Sequence, residues 1–185
     1  MQKLLNHLLC VKKQIQQGGM MTTREEMVKR MFNTVADGYD RSTMRYFPES
    51  AKHIAAYLHL NGDEHVLDVG TGTGIVALTL AEEVPEGHVI GIDFSDRMLV
   101  HARRKQAELG IRNVTFQEMD MHALEFPDHS FDVAISACSL FFAKEMITHL
   151  VHITKKIKYE GQILITTFFE NTFSPLIDLF LARLT

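Results

Sequence analysis

Short apolar runs alternate with segments of helical periodicity over most of the chain. The apolar runs predict five strands, over residues 65–69, 88–93, 114–119, 131–137 and 162–168. Apolar residues recur at helical spacing over about residues 74–83, 95–109, 143–157 and 175–184. Strands that alternate with helices in this rhythm are typical of a parallel sheet covered on both faces. The pattern therefore predicts an α/β fold with a doubly wound, mostly parallel sheet.

The part of the chain before the first strand predicts two helices. Thr22 and Thr23 each stand three residues before a glutamate, as in a capping box, so the first helix should begin near Thr23 and fade near Gly38. Pro48 suits the first turn of a second helix, which should stop at residues 61–62. Three regions are predicted: an N-terminal extension over residues 1–21, a helical segment over 22–62 and the main domain over 63–185.

The N-terminal extension has a weak helical pattern of its own. Apolar residues recur at Leu4, Leu8, Val11 and Ile15. The segment is too short, and too interrupted by Asn6 and His7, to be a secretory signal. Three interpretations remain open: a helix that packs on the domain, an extension that precedes it, and an amphipathic helix on a membrane surface.

Composition and charge narrow the classes of partner. The chain has 185 residues, 46% hydrophobic and 23% charged, which is typical of one globular domain rather than a disordered chain. A net charge of −4 leaves no basic excess for a nucleic-acid backbone, so no DNA partner is expected. The longest nearly apolar stretch, residues 133–143, falls well short of the roughly twenty residues of a membrane span, so no integral membrane contact is expected.

The cysteines and one pair of histidines predict neither disulfides nor a metal site. Cys10 and Cys138 provide no disulfide framework and no metal-ligand spacing, which fits a reducing, cytoplasmic location. We expect Cys138 to be a buried core thiol. His149 and His152 lie three residues apart on a predicted helix, but without a third ligand we expect them on a solvated face.

A glycine-rich run follows the first predicted strand. Residues 66–74 are Val-Leu-Asp-Val-Gly-Thr-Gly-Thr-Gly, a turn that lets the backbone approach a ligand at the carboxyl edge of a sheet. A dinucleotide fingerprint needs glycines at relative positions one, three and six, whereas these fall at one, three and five, and no Gly-Lys-Ser/Thr of a phosphate-binding loop follows. Asp68 would repel a pyrophosphate and attract a cation. The alternative is that the glycines serve only a tight turn.

An acid also ends the second predicted strand. Asp93 lies 23 residues after Gly70, where nucleoside-binding α/β folds place a carboxylate that accepts hydrogen bonds from ribose hydroxyls. The alternative is that Asp93 only supports the start of the next helix at Ser95.

A third acid follows the third predicted strand. Asp120 can accept a hydrogen bond from the exocyclic amine of adenine. Phe94 and Met98 can supply the apolar faces that sandwich such a ring.

Together these motifs resemble a class I S-adenosylmethionine-dependent methyltransferase over about residues 25–170. The chain is most similar to the branch that contains the ubiquinone/menaquinone-biosynthesis C-methyltransferases and related small-molecule enzymes. The matching elements are residues 66–74, Asp93, Asp120 and residues 124–132. Residues 36–40, Ala-Asp-Gly-Tyr-Asp, resemble the Ala-x-x-Tyr-Asp segment that often covers the cofactor, so the helical segment 22–62 is expected to act as a lid.

The resemblance implies S-adenosylmethionine as the cofactor. Gly70, Thr71 and Gly72 would pass under its methionine part. Asp68 would face the ammonium group of that part. The cofactor carries the reactive sulfonium methyl, so the protein mainly supplies alignment and exclusion of water.

The resemblance also implies residues for the nucleoside and for the reacting end. Asp93 would hold the ribose, while Asp120 and the backbone of Met121 would read the adenine. Ser136, at the end of the fourth strand, would line the methionine end. Tyr39 would close over it.

The chain departs from the family pattern after the fourth strand. Residues 136–142 are Ser-Ala-Cys-Ser-Leu-Phe-Phe, without the Asn/Asp-Pro-Pro-aromatic motif, which disfavours methylation of nucleobase amines. Phe141 and Phe142 suggest an apolar acceptor side, with simple helix packing as the alternative. No catalytic residue is assigned, and His122 is the nearest candidate for a base by position.

The leading hypothesis is a cytoplasmic methyltransferase that acts on a small, apolar or aromatic molecule. Two alternatives stay open: a methyltransferase that acts on protein or RNA, and a cofactor-binding subunit or regulator without activity. Families of this type usually end the sheet in the order 3-2-1-4-5-7-6, whereas this chain continues after its fifth strand with one helix only. The fifth strand would then be an apolar edge, which predicts either a homo-oligomer formed through it or a tendency to aggregate. The alternative is a monomer in which the N-terminal helix folds across this edge.

Overall fold

The computed structural model describes residues 23–40 and 46–168, so Cys10 and the helical patterns predicted at residues 4–15 and 175–184 lie outside the described residues. The helices described are α1 Arg24–Val35, α2 Tyr46–Leu58, α3 Ile75–Glu83, α4 Asp96–Leu109 and α5 Met146–Lys156. The strands are β1 His65–Val69, β2 His88–Asp93, β3 Val114–Glu118, β4 Phe131–Ala137 and β5 Ile157–Thr166. Short 3-10 turns cover Ala36–Gly38 and Leu140–Phe142.

The strands form one sheet in the order β3-β2-β1-β4-β5. All four pairings are parallel, and β1 pairs with both β2 and β4 at the centre. This confirms the predicted α/β class and strand order. The carboxyl ends of β1, β2 and β3 therefore meet at one edge of the sheet, where ligands bind in open α/β sheets.

Helices cover both faces of the sheet. Val66 belongs to a buried cluster with Leu78 of α3 on one face. Its neighbour Leu67 points the opposite way, into a cluster with Ile153 of α5. Because strand side chains alternate between faces, consecutive apolar residues bury both sides, and each such side chain contributes roughly 1.5–3 kcal/mol.

Most predicted boundaries hold, and the differences lie near β5. β1, β2 and β4 have the predicted bounds, and Ser95 and Gly110 bound α4 as predicted. Helix α5 begins at Met146 rather than near residue 143, because the 3-10 turn Leu140–Phe142 precedes it. The prediction of residues 162–168 for the fifth strand was wrong at its start. β5 begins at Ile157, and its register against β4 shifts between Phe131 and Val133.

Helix α1 is attached to the sheet domain by polar contacts. Its capping box forms as predicted, with Thr23 and Glu26 bonding each other's backbone amides. Beyond its end, Asp40 accepts a hydrogen bond of 2.7 Å from Thr73 in the glycine-rich loop and forms an ion pair of 3.0 Å with Lys105 of α4. These contacts hold residues 39–40 directly over the carboxyl edge of the sheet.

Strand β5 lies at the edge of the sheet described. Ile163 and Ile165 are each 39% exposed there. Because β5 begins earlier than predicted, it includes a lysine, Lys158. The predicted strand over residues 162–168 contained no lysine.

Across the described residues, we find no helix with both the length and the apolar character needed to cross a membrane.

Candidate functional site

One cavity at the carboxyl edge of the sheet brings together ten of the eleven residues that the sequence analysis assigns to a cofactor. These are Tyr39, Asp68, Gly70, Thr71, Gly72, Asp93, Phe94, Met98, Asp120 and Met121. Phe47 and Ser50 of α2 line the same cavity, although no sequence signal distinguished them. The eleventh residue, Ser136, lies elsewhere.

The glycine-rich loop is held by backbone bonds to the neighbouring strand. The amides of Gly70 and Thr71 both donate to the carbonyl of Ile92 at 2.9 Å. Gly70 has a φ of 74° and Gly72 a φ of 56°, in the left-handed region that favours glycine. These two glycines allow the loop to turn tightly where it lines the cavity.

Asp68 is the most deeply buried acid of the site. It is 1% exposed, and Thr71 donates a hydrogen bond of 2.7 Å to its carboxylate. Burial raises the pKa of Asp68 to about 7; the hydrogen bond from Thr71 opposes the shift, and the nearby charge of Asp93 adds to it. A buried carboxyl poised near neutrality, facing a cavity, suits a cationic ligand group.

Asp93 joins the glycine-rich loop to the start of α4. Its Oδ2 accepts from the amide of Gly72 at 2.8 Å, and its Oδ1 accepts from the amide of Ser95 at 2.8 Å. Asp93 therefore does support the start of α4, as the alternative interpretation has it. Each carboxylate oxygen still has a second lone pair that can accept a hydrogen bond from a ligand. Burial raises the pKa of Asp93, against the effect of these amide bonds.

Asp120 lies beyond β3 and is bonded to His122. Its Oδ1 accepts from the amide of His122 at 2.9 Å and contacts the Nδ1 atom of the same residue at 2.5 Å. Oδ2 has no hydrogen-bond partner within residues 23–40 and 46–168. Because Asp120 lines the cavity, this second oxygen remains available to a ligand donor.

A closed circuit of ring contacts, here called the aromatic wall, lies beside the cavity. Its members, in order of contact, are Phe32, Tyr39, Phe47, Tyr46, Phe168, Phe141 and Phe142, with ring centroids 4.6 to 6.4 Å apart. Phe32, Tyr39, Phe47 and Phe142 line the cavity directly. Burial raises the pKa of Tyr39 to about 12, so its hydroxyl stays protonated at neutral pH. The wall is a surface for an apolar or flat molecule.

Ser136 was expected to line the cavity, but the structure places it elsewhere. It is 1% exposed, and its Oγ lies 2.7 Å from the Oγ of Ser139. Ser139 lines the cavity instead, and it donates to the carbonyl of Val69 at 2.8 Å. The chain turns sharply between them, with a φ of 53° at Cys138, and this turn brings the later serine to the surface of the cavity.

Two other expectations for this region need correction. Cys138 is not a buried core thiol: it is half-buried, lines the cavity and contacts Thr166. His149 does not lie on a solvated face. It is 4% exposed and contacts His122, with ring centroids 3.9 Å apart.

The described residues contain no group of three or more His, Cys, Asp or Glu side chains arranged to hold a metal ion. The cavity instead combines three carboxylates at the sheet edge with an apolar aromatic side. Such an arrangement can bind an elongated ligand whose polar groups contact the three carboxylates. One end of that ligand would then lie beside an apolar molecule bound at the aromatic wall.

Comparison with known proteins agrees with this geometry. Residues 60–178 match a family described as a methyltransferase domain. That match includes the glycine-rich loop, all three acids and β5.

Two curated relatives are informative. The chain is 32% identical over 149 residues to a demethylmenaquinone methyltransferase of Listeria monocytogenes, which covers 78% of this chain and 63% of the relative. It is 28% identical over 144 residues to an aklanonic acid methyltransferase of Streptomyces sp., over 77% of this chain and 66% of that protein. The chain thus spans somewhat less than two thirds of the length of these relatives.

A solved structure shows the same fold. An S-adenosylmethionine-dependent methyltransferase from Aquifex aeolicus superposes with a TM-score of 0.59 at 24% identity, covering 70% of this chain and 67% of that one. The fold of this chain is therefore an established one.

Proposed function

Since this chain belongs to the methyltransferase-domain family, we propose that it binds S-adenosylmethionine and transfers the methyl group of that cofactor to a small, apolar or aromatic acceptor. The cofactor supplies a sulfonium methyl that is already activated for displacement. The chain's own residues would bind it, align it and exclude water.

The proposal rests on three carboxylates at the ends of three neighbouring strands. Asp120, Asp93 and Asp68 follow β3, β2 and β1 or lie near their ends, and these strands are neighbours in that order. Adjacent strands lie about 4.8 Å apart, so the acids span about 10 Å along the sheet edge. Their order suits an adenine amine, a ribose diol and an ammonium group in one extended ligand.

The residues also fit the cofactor chemically. Asp68 is buried without a cationic partner among the described residues, and a ligand ammonium group would supply one. Asp93 keeps lone pairs for ribose hydroxyls, and Asp120 keeps one oxygen for the adenine amine. Met98, fully buried, and Phe94 line the same cavity and would pack on the adenine ring.

The acceptor would lie against the aromatic wall. Phe32, Tyr39 and Phe142 line the cavity there, and they would exclude water from the reacting methyl group. Tyr39 is a poor general base because its pKa is about 12, so it holds its proton.

The ligand prediction is tested by thermal unfolding. S-adenosylhomocysteine should raise the melting temperature, whereas NAD and ATP should not, because the loop lacks both phosphate-binding patterns. Saturation at 100 times the Kd corresponds to a stabilisation of roughly 2.7 kcal/mol. Asp93→Ala should reduce the shift, since losing a ribose acceptor costs about 1–3 kcal/mol.

Transfer is then tested with methyl-labelled S-adenosylmethionine and small-molecule extracts. Label that appears in an apolar acceptor supports the proposal. Binding of S-adenosylhomocysteine without transfer to any acceptor would instead favour a subunit or regulator. A thermal shift with NAD and none with S-adenosylhomocysteine would contradict the proposal altogether.

We also propose that two copies of the chain associate through β5. Its outer edge is unpaired within the described residues, and Ile163 and Ile165 are partly exposed beside it. Light scattering should show an average mass that rises with concentration. Ile163→Lys should lower that mass, and Tyr57→Lys, at a 75% exposed position of α2, should leave it unchanged. A monomer at every concentration would contradict the proposal.

A further inference from the structure

His149 is a buried polar side chain without a polar partner. It lies on α5, is 4% exposed, and neither of its ring nitrogens has a hydrogen-bond partner within the part of the chain that the structure describes. A buried imidazole without partners is costly, because its donor and its acceptor both lose water. We therefore looked for a function that the buried ring of His149 serves.

The ring of His149 is in contact with His122. The two ring centroids are 3.9 Å apart, and the planes meet at 69°, edge to face. His122 lines the cofactor cavity, and its Nδ1 contacts Oδ1 of Asp120. His149 thus supports, from behind, the residue that occupies one oxygen of Asp120.

The charges around His149 favour its neutral form. From the loop after β3 it faces His122 and Asp120; it also faces His152 on its own helix and Glu145, the residue directly before that helix. Burial lowers the pKa of His149, and the two histidines act in the same direction, against the weaker effect of the two acids. At neutral pH the ring therefore packs as an uncharged aromatic group.

We propose that His149 is a positioning residue for adenine recognition: its ring holds His122 against Oδ1 of Asp120, so that Oδ2 stays directed to the 6-amino group. The inference rests on the proposed function, because it assumes that a nucleoside occupies the cavity. It adds to that function a residue that does not line the cavity.

The test compares S-adenosylhomocysteine with its 6-deamino analogue, which carries purine in place of adenine. The ratio of the two Kd values measures recognition of the amine alone, because both ligands share the ribose and the amino-acid end. We expect a ratio of about ten in the wild type, as for a hydrogen bond to a charged group. His149→Ala should lower the ratio at least threefold.

Two variants separate positioning from folding. His149→Phe keeps an aromatic ring at the contact and should restore the wild-type ratio at pH 7.5. His152→Ala changes the next histidine of α5, whose ring centroid lies 6.4 Å from that of His149, and should leave the ratio unchanged.

The outcomes are distinct. If His149→Ala lowers the melting temperature but leaves the ratio at its wild-type value, His149 is structural and the inference is wrong. A wild-type ratio near one would show that Asp120 does not recognise the amine, which also overturns the inference. If the wild type binds neither nucleoside, the proposed function fails as well.

Discussion

Asp68→Asn is expected to weaken binding of S-adenosylhomocysteine at least about 100-fold at pH 8, because a buried ammonium group would lose its counter-charge. The side chain is fully buried, and Thr71 donates a hydrogen bond of 2.7 Å to it. Asparagine has nearly the same shape, and its Oδ1 can still accept from Thr71. The variant therefore removes the charge while it preserves the packing, and calorimetry measures the change in Kd.

The same substitution should make the ligand-free protein more stable above neutral pH. The pKa of Asp68 is raised from 3.8 to about 7, so the folded state holds a proton that the unfolded state releases. The contribution of Asp68 to the free energy of unfolding is therefore greatest below pH 4 and falls as the pH rises to 7, by at most roughly 4 kcal/mol. Asp68→Asn removes this fall and should gain about 2 kcal/mol at pH 8, once the cost of its unpaired amide is included. Urea unfolding at pH 4.5 and pH 8 measures both values.

The pH dependence of binding provides the internal check. Wild-type affinity should rise about tenfold per pH unit below 7 and level off above it, since the ammonium group needs the ionised carboxylate. The affinity of Asp68→Asn should change little over this range. 5′-Methylthioadenosine lacks the amino-acid end, so it should bind both proteins equally. Equal binding of S-adenosylhomocysteine by both would show that Asp68 does not face the ammonium group.

Much of the fold could be predicted because local signals and burial agree. β1, β2 and β4 are largely apolar runs that each begin directly after a polar residue or a glycine. Ser95 and Gly110 have the chemistry of helix ends. The start of β5 could not be predicted in this way. The chain passes from Lys156 of α5 into Ile157 without a turn residue, and the nearest glycine, Gly161, lies at the register shift inside the strand.

The residues of the site also differ in whether their positions could be predicted from the sequence. Asp68, Asp93 and Asp120 could be placed because each lies at or near the carboxyl end of an apolar strand, and these ends of parallel strands meet at one edge. Ser139 could not, since its position depends on a left-handed turn at Cys138, and a non-glycine residue carries no clear signal for such a turn.

The burial of His149 did have a signal in the sequence. It lies four residues before Ile153, a core residue of the same helix, and residues four apart share a helical face. The neighbouring lysines at the end of α5 suggested a solvated face instead. Only the packing of the loop after β3 against this helix shows that the histidine is covered.

Gly70→Ala is expected to destabilise the protein by about 3 kcal/mol or more and to abolish cofactor binding. Gly70 has a φ of 74°, which costs a residue with a Cβ about 1–2 kcal/mol. An added Cβ would also lie 2.4 Å from the Cβ of Ser139 and 2.6 Å from its Oγ, so the loop or the turn after β4 must shift. Overpacking of this kind costs about 1–3 kcal/mol. Urea unfolding and calorimetry with S-adenosylhomocysteine measure the two losses.

Two matched variants isolate the close approach of the loop to Ser139. Gly72→Ala has a comparable φ of 56°, but no atom lies within 4 Å of its added Cβ, so it should cost only about 1–2 kcal/mol. Ser139→Gly removes both clashing atoms, and in that background Gly70→Ala should also cost only about 1–2 kcal/mol. Equal losses for Gly70→Ala and Gly72→Ala would show that backbone conformation alone requires the first glycine. A loss for Gly70→Ala that Ser139→Gly reduces would show that the loop is fixed by its contact with the turn after β4, where the methionine part of the cofactor would lie.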